Sequence, residues 1–408
     1  MGKNYNQMKN YNYLIMKRMT KLFMITGILT IAFSCFADGK NIQQKLRIEK
    51  QDDNNQILIA AGKPETKAGL LDDKWEDIDL VINTGETQLG GTLTIPNKLE
   101  TSSLVIMSSG SGDQDRDETL DGFRVFKIIA DHLASKGIAS FRYDDRGVGT
   151  STGNFVNSTL EDHVADLESI MDYFKSAEEH QFNEFTLFGH SQGGILAAKV
   201  AVGNEAVKKV ILMGATAVPL VDVVLYQVRQ EYRQTNIPKS IIEANVSAHN
   251  KLMRAIEDNR NIKEVLHEFR ESTKAILYEL SSTEQVADTL KIEKEATAQT
   301  NEFEIIYALP SLTSFLYYDP AKDFEKLEVP VLSLFGGLDK QVTIDQNKDR
   351  MENALLKSGT DYQLLTFDKA NHLFQEAETG NREEYATREK KFVDDFLVEI
   401  SQWILRTE

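Results

Sequence analysis

Apolar residues fall along this chain in two rhythms. Short, nearly unbroken runs recur at Leu104-Val105-Ile106-Met107, Ile138-Ala139-Ser140-Phe141, Phe185-Thr186-Leu187-Phe188 and Val210-Ile211-Leu212-Met213. Two more follow near the end, Val329-Pro330-Val331-Leu332-Ser333-Leu334-Phe335 and Tyr362-Gln363-Leu364-Leu365-Thr366-Phe367. Runs of this length without polar alternation suit strands buried on both faces beneath helices. Elsewhere the apolar residues return at helical spacing, over 125–133 with a stop at Lys136-Gly137, over 159–174 and over 392–404. In 159–174, Val164, Leu167, Ile170, Met171 and Phe174 share one side. Alternation at Ile78, Leu80 and Ile82, a turn at Asn83-Thr84-Gly85, then Leu89, Leu93 and Ile95 predict an antiparallel hairpin at a sheet edge.

Strand and helix repeating in this order imply an α/β fold with a mostly parallel sheet and helices on both of its faces. The core is assigned to 75–215 and 324–408. Across 216–323 the repetition stops, and charged helical sequence takes over at 241–257, 262–279 and 282–298. That span is read as a helical cap inserted between the two halves. Tyr307, Leu312, Phe315, Leu316, Tyr317 and Tyr318 are placed either along an apolar pocket under the cap or in the cap's own core. Residues 38–74, rich in Gln, Asn, Asp and Lys, are a linker or peripheral segment.

The chain's beginning has its own signature. Lys17, Arg18 and Lys21 precede an apolar stretch at 22–33, the order of a secretory signal, and the stretch is too short for a membrane span. Residues 1–37 are assigned to this signal region, with Met16 or Met19 as alternative starts, and the protein is expected to be exported to a periplasm or the exterior. Cleavage after Ala37 would release it; cleavage before Cys35 would leave a lipid-anchored amino terminus. Cys35 is the single cysteine of 408 residues, which excludes an intrachain disulfide framework and a cysteine-built metal site. A net charge of −17 argues against a polyanion-binding surface, so nucleic acid is not an expected partner.

The densest chemistry lies at Gly189-His190-Ser191-Gln192-Gly193-Gly194, between an apolar run and an alanine-rich helical run. A serine hydroxyl is a weak nucleophile and needs a base for its proton and donors for the oxyanion that develops. A sharp strand-to-helix turn with small flanking residues provides both, which makes Ser191 the candidate nucleophile. The second oxyanion donor is expected from the loop Ser108-Ser109-Gly110-Ser111-Gly112, which ends the first core strand, with the Ser111 N–H favoured and Gly112 as alternative. The base and its orienting acid should each follow a strand, in the order Ser, Asp, His. His372 and Asp339 meet that requirement, with Asp345 as the alternative acid. His190 adjoins the serine but is expected to point away, and His132, His163, His180, His249 and His267 fall on helices or linkers. The charged loop Asp144-Asp145-Arg146-Gly147-Val148-Gly149 is read as a brace rather than a reacting group.

Together, Ser109-Gly110-Ser111-Gly112, Gln114-Asp115-Arg116-Asp117, the Asp145-Arg146-Gly147 loop, Gly-His-Ser-Gln-Gly-Gly, the strand ending at Asp339 and Asn371-His372-Leu373-Phe374 resemble bacterial serine-aminopeptidase-like α/β-hydrolases, especially their exported carboxylesterases. The likeness spans roughly 75–404 and is weakest in the cap. It implies an α/β-hydrolase fold, hydrolysis of short-chain acyl esters of small molecules, and neither metal nor organic cofactor. It implies Ser191 as nucleophile, His372 as base, Asp339 as its acid, and the Gln192 and Ser111 N–H groups as the oxyanion site. Ser109-Gly110 stands where many hydrolases of this fold carry His-Gly. The alternatives are a peptidase or acyltransferase with the same triad, and an exported binding protein that keeps the fold without the chemistry.

Overall fold

In the computed structural model, which describes residues 74–281 and 288–406, the apolar runs become the strands of one eight-stranded sheet. The expected signal region, Cys35 and the segment 38–73 lie outside the described residues. The first half of the chain supplies β1 (Trp75–Asn83), β2 (Gln88–Pro96), β3 (Ser103–Ser108), the short pair β4 (Thr119–Leu120) and β5 (Phe123–Arg124), α1 (Val125–Ser135), β6 (Ser140–Tyr143), α2 (Leu160–Ser176), β7 (Glu184–His190), α3 (Gln192–Ala201) and β8 (Val207–Met213). Then come six helices, α4 (Leu220–Glu231), α5 (Lys239–Glu257), α6 (Ile262–Ser281), α7 (Thr289–Tyr307), α8 (Pro310–Leu316) and α9 (Ala321–Phe324). The last part alternates again through β9 (Val331–Gly336), α10 (Ile344–Ser358), β10 (Tyr362–Phe367) and α11 (Phe396–Leu405).

The strand order is β1-β2-β6-β3-β7-β8-β9-β10. The β1–β2 hairpin sits at one edge and joins β6 antiparallel; every pairing from β6 to β10 is parallel. Every residue of β3 is buried because both faces of the sheet are covered. Alternate side chains divide between two cores. Leu104 and Ile106 pack on the side of α2 and α3 with Leu167, Met171 and Leu196, whereas Val105 and Met107 pack with Phe126, Ile129 and Trp403 from α1 and α11. Helix α2 begins with a reciprocal cap in which Thr159 and Asp162 exchange side-chain and backbone hydrogen bonds.

Three boundaries differ from expectation. The helix expected over 282–298 forms as Thr289–Tyr307, because the Asp288 carboxylate accepts the Leu290 and Lys291 N–H groups at 3.1 and 3.2 Å and so fixes its start; 282–287 lie outside the described residues. The last helix begins at Phe396 rather than 392, since Asp395 is left-handed at φ 65° and the Val393 N–H is taken by the Phe374 carbonyl. Strand β6 begins at Ser140 because the Ile138 N–H still closes helix α1 on Leu133 O. Of the six aromatic and aliphatic side chains considered for a pocket, Tyr307, Leu312, Phe315 and Leu316 are buried in the core shared by α4 to α8.

Candidate active site

Strand β7 runs into Ser191, and Ser191 is the residue from which α3 starts. Its backbone sits at φ 51°, ψ −117°, a left-handed conformation that L-residues avoid. Two glycines make this turn possible. A Cβ on Gly189 would lie 2.2 Å from the Gly193 carbonyl oxygen, and one on Gly193 would lie 2.2 Å from Ser108 O and 2.5 Å from Ser109 O. The elbow thus packs backbone to backbone against the loop leaving β3. Gly193→Ala is expected to lose about 1–3 kcal/mol through this overpacking, measured as a lower urea midpoint with unchanged slope. The Ser191 N–H extends the β7–β8 ladder by donating to Met213 O at 2.9 Å.

The imidazole expected as base comes from the loop after β10. Asn371, fully buried, holds that loop: its Oδ1 accepts the Leu373 and Gln375 N–H groups, each at 3.0 Å, and its Nδ2 donates to Gln375 Oε1 at 3.2 Å. His372 Nδ1 lies 2.7 Å from Asp339 Oδ2, with both side chains buried. The other Asp339 oxygen accepts the Gln341 and Val342 N–H groups at 2.8 and 2.9 Å, so the carboxylate is held at both ends. Asp345 instead stands in the first turn of α10.

Ser111, Ser191 and His372 line one cavity of about 70 Å³, together with Glu118, His190 and Tyr385. Gln192 lines a smaller neighbouring cavity of about 30 Å³ with His163 and Phe315, and Gly110 borders both. As the first residue of α3, Gln192 has an N–H with no partner inside the helix. The structure therefore brings the Ser191, His372, Asp339 and Ser111 elements together, with Gln192 adjoining.

Ionic contacts hold the loops around the site. Arg116 pairs with the buried Asp144 at 2.6 Å, and Arg146 pairs with Asp166 at 2.6 Å. Asp145 accepts the Gln114 N–H at 2.8 Å and the Ser109 hydroxyl at 3.2 Å; burial pushes its carboxyl well above the ordinary aspartate range. These contacts match the bracing role read from the loop's sequence.

A second histidine adjoins the site. His190 borders the cavity, its ring centroid 4.8 Å from that of His372. Its Nδ1 lies 2.7 Å from Glu118 Oε1 and its Nε2 lies 3.1 Å from the His372 carbonyl oxygen. Burial disfavours the imidazolium, but the Glu118 carboxylate, the His372 carbonyl and Asp339 together outweigh it and the pKa of His190 is raised above the usual histidine value. Sequence reasoning missed this pair because Glu118 is 72 residues from His190 and belongs to no recognisable pattern. Two other histidines have structural settings. Burial lowers His163, beside the Ser158 hydroxyl, to about 4 and His249, bonded to the Tyr307 hydroxyl at 2.7 Å, to about 3.

Known proteins resemble this chain. The family model described as "Serine aminopeptidase, S33" matches residues 121–378. Esterase EstD of Thermotoga maritima is 26% identical over 336 residues, which cover 82% of this chain and 68% of the esterase. Among solved structures, an esterase of Pyrococcus furiosus superimposes with a TM-score of 0.48 at 12% identity, covering 84% of this chain and 95% of that one. A proline iminopeptidase of Mycobacterium smegmatis gives 0.45 at 14% identity, covering 80% and 97%.

Proposed function

Because the chain belongs to the serine aminopeptidase family of α/β-hydrolases, we propose that it is a carboxylic ester hydrolase in which Ser191 attacks the acyl carbon. The observation that carries this reading is that His372, bonded to the buried Asp339, lines the same cavity as the strained Ser191. Asp339 engages Nδ1, which leaves Nε2 as the nitrogen that takes the Ser191 proton. The Ser191 oxygen bonds to the carbonyl carbon, and the tetrahedral oxyanion accepts hydrogen bonds from the Ser111 and Gln192 N–H groups. His372 returns the proton to the departing alcohol, leaving an acyl-serine. Water, deprotonated by the same imidazole, then attacks that ester, and the acid and the free serine are released.

Likeness to an esterase supports ester rather than peptide substrates, and a cavity of about 70 Å³ supports short acyl groups. The family's description favours a second reading, aminopeptidase action through the same three side chains. A series of p-nitrophenyl esters of rising acyl length, run beside aminoacyl p-nitroanilides, separates the two. Turnover is expected to be highest for acetate and butyrate, to fall with longer chains, and to be blocked by a fluorophosphonate that labels the protein once. Cleavage of the anilides without cleavage of the esters would establish the peptidase reading instead.

A further inference from the structure

The wall of the cavity holds a carboxylate–imidazole pair that the proposed mechanism does not use. Glu118 and His190 are 1% and 2% exposed, and Glu118 sits in a left-handed backbone conformation at φ 48°. Glu118 Oε1 accepts the Gly110 N–H at 2.7 Å, next in the chain to Ser111, and meets His190 Nδ1 at 2.7 Å. His190 is itself the residue before Ser191, and its Nε2 reaches the carbonyl oxygen of His372 at 3.1 Å. One pair therefore touches the backbone of the oxyanion loop, the elbow and the loop carrying the base.

We propose that Glu118 and His190 are positioning residues that lock these three backbones in register, with His190 held as a doubly protonated ring between two acceptors. With Glu118 ionised, both oxygens beside the ring can only accept, the His372 carbonyl by its nature and Glu118 Oε1 while it also takes the Gly110 N–H, so each ring nitrogen donates. Asp339 and His372 are the other titratable groups facing this ring, and Arg382, paired with Asp121, lines the same cavity. The Glu118 carboxylate is the charge in contact with His190 that favours its protonation. The inference rests on the proposed serine mechanism.

The test uses the full chain. Glu118→Gln keeps the side chain's shape and an oxygen for the Gly110 N–H but removes the charge. A neutral His190 then has one N–H for two acceptors, so its bond to the side chain at 118 or to the His372 carbonyl is lost and the three backbones are no longer tied together. Turnover of p-nitrophenyl acetate per fluorophosphonate-titrated site is expected to fall on the order of 10² -fold, the cost of a small misplacement of reacting groups. KM should stay within about twofold, because substrate binding is not what the pair serves. His190→Gln should fall by a like factor, and the double variant no further than the larger single one, since the two side chains act as a unit. Unchanged turnover per labelled site, or losses that multiply, would overturn the inference.

A measurement on the unaltered protein decides the matter if the variants do not fold. At about pH 8, where exposed histidines are neutral, ¹⁵N spectra of the rings should retain one doubly protonated imidazole. Its absence would overturn the inference. Ser191-dependent turnover that Glu118→Gln leaves untouched would remove this inference alone, whereas turnover within about tenfold of the original in Ser191→Ala would remove the serine mechanism on which it stands.

Discussion

Ser191→Ala is expected to lower kcat for p-nitrophenyl acetate on the order of 10⁶-fold, the scale on which serine hydrolases lose their nucleophile. The fold should be unaffected, because alanine keeps the Cβ and the Ser191 N–H, which donates to Met213 O, and removes only the hydroxyl. The same φ of 51° is imposed by the packing of Gly189 and Gly193 and not by the serine side chain. A residual rate on the order of 10³-fold over water is expected to survive, since the backbone donors at Ser111 and Gln192 still stabilise an oxyanion when water attacks. Stopped assays with burst titration and a thermal melt measure all three quantities. A variant with turnover within about tenfold of the original would show that some other group forms the covalent bond.

The architecture was legible in sequence where burial on both faces of the sheet forced unbroken apolar runs. Strand β3 and strand β9 are buried from end to end, and their residues could be read as strands with no knowledge of the fold. The elbow was legible for a related reason: backbone packs against backbone there, and only glycine leaves room. Helix α10 left a fainter trace. Its inward face consists of Asn347, Met351, Ala354 and Leu355, and Asn347 is buried because its side-chain oxygen accepts N–H groups from Ala217 and Val218. A polar residue whose partner lies 130 positions away reads as surface when only neighbours are considered. The partner of His190 was hidden for the same cause. Next to a serine in a buried strand the ring had no visible partner, and Glu118 is the residue just before the β4–β5 pair, which is too short to show periodicity.

Position 339 can be separated from its neighbours by exchanging one atom. Asp339→Asn is expected to lower kcat on the order of 10⁴-fold while KM and stability change little. The two oxygens of Asp339 have different work: one accepts the Gln341 and Val342 N–H groups, and the other faces His372 Nδ1. An asparagine must place its single oxygen where the two backbone donors point, because turning the amide over would set its N–H₂ against them. Its nitrogen is then forced towards His372 and donates where the carboxylate accepted. That selects the imidazole tautomer with the proton on Nε2, and a protonated Nε2 cannot take the hydrogen of Ser191. Asp345→Asn lacks this consequence, because Asp345 stands in the first turn of α10 away from the ring, and its kcat should remain within about threefold of the original. If Asp339→Asn retained ordinary turnover while Asp345→Asn lost it, the orienting acid would have to be reassigned, and the 2.7 Å contact between Asp339 and His372 would be structural only.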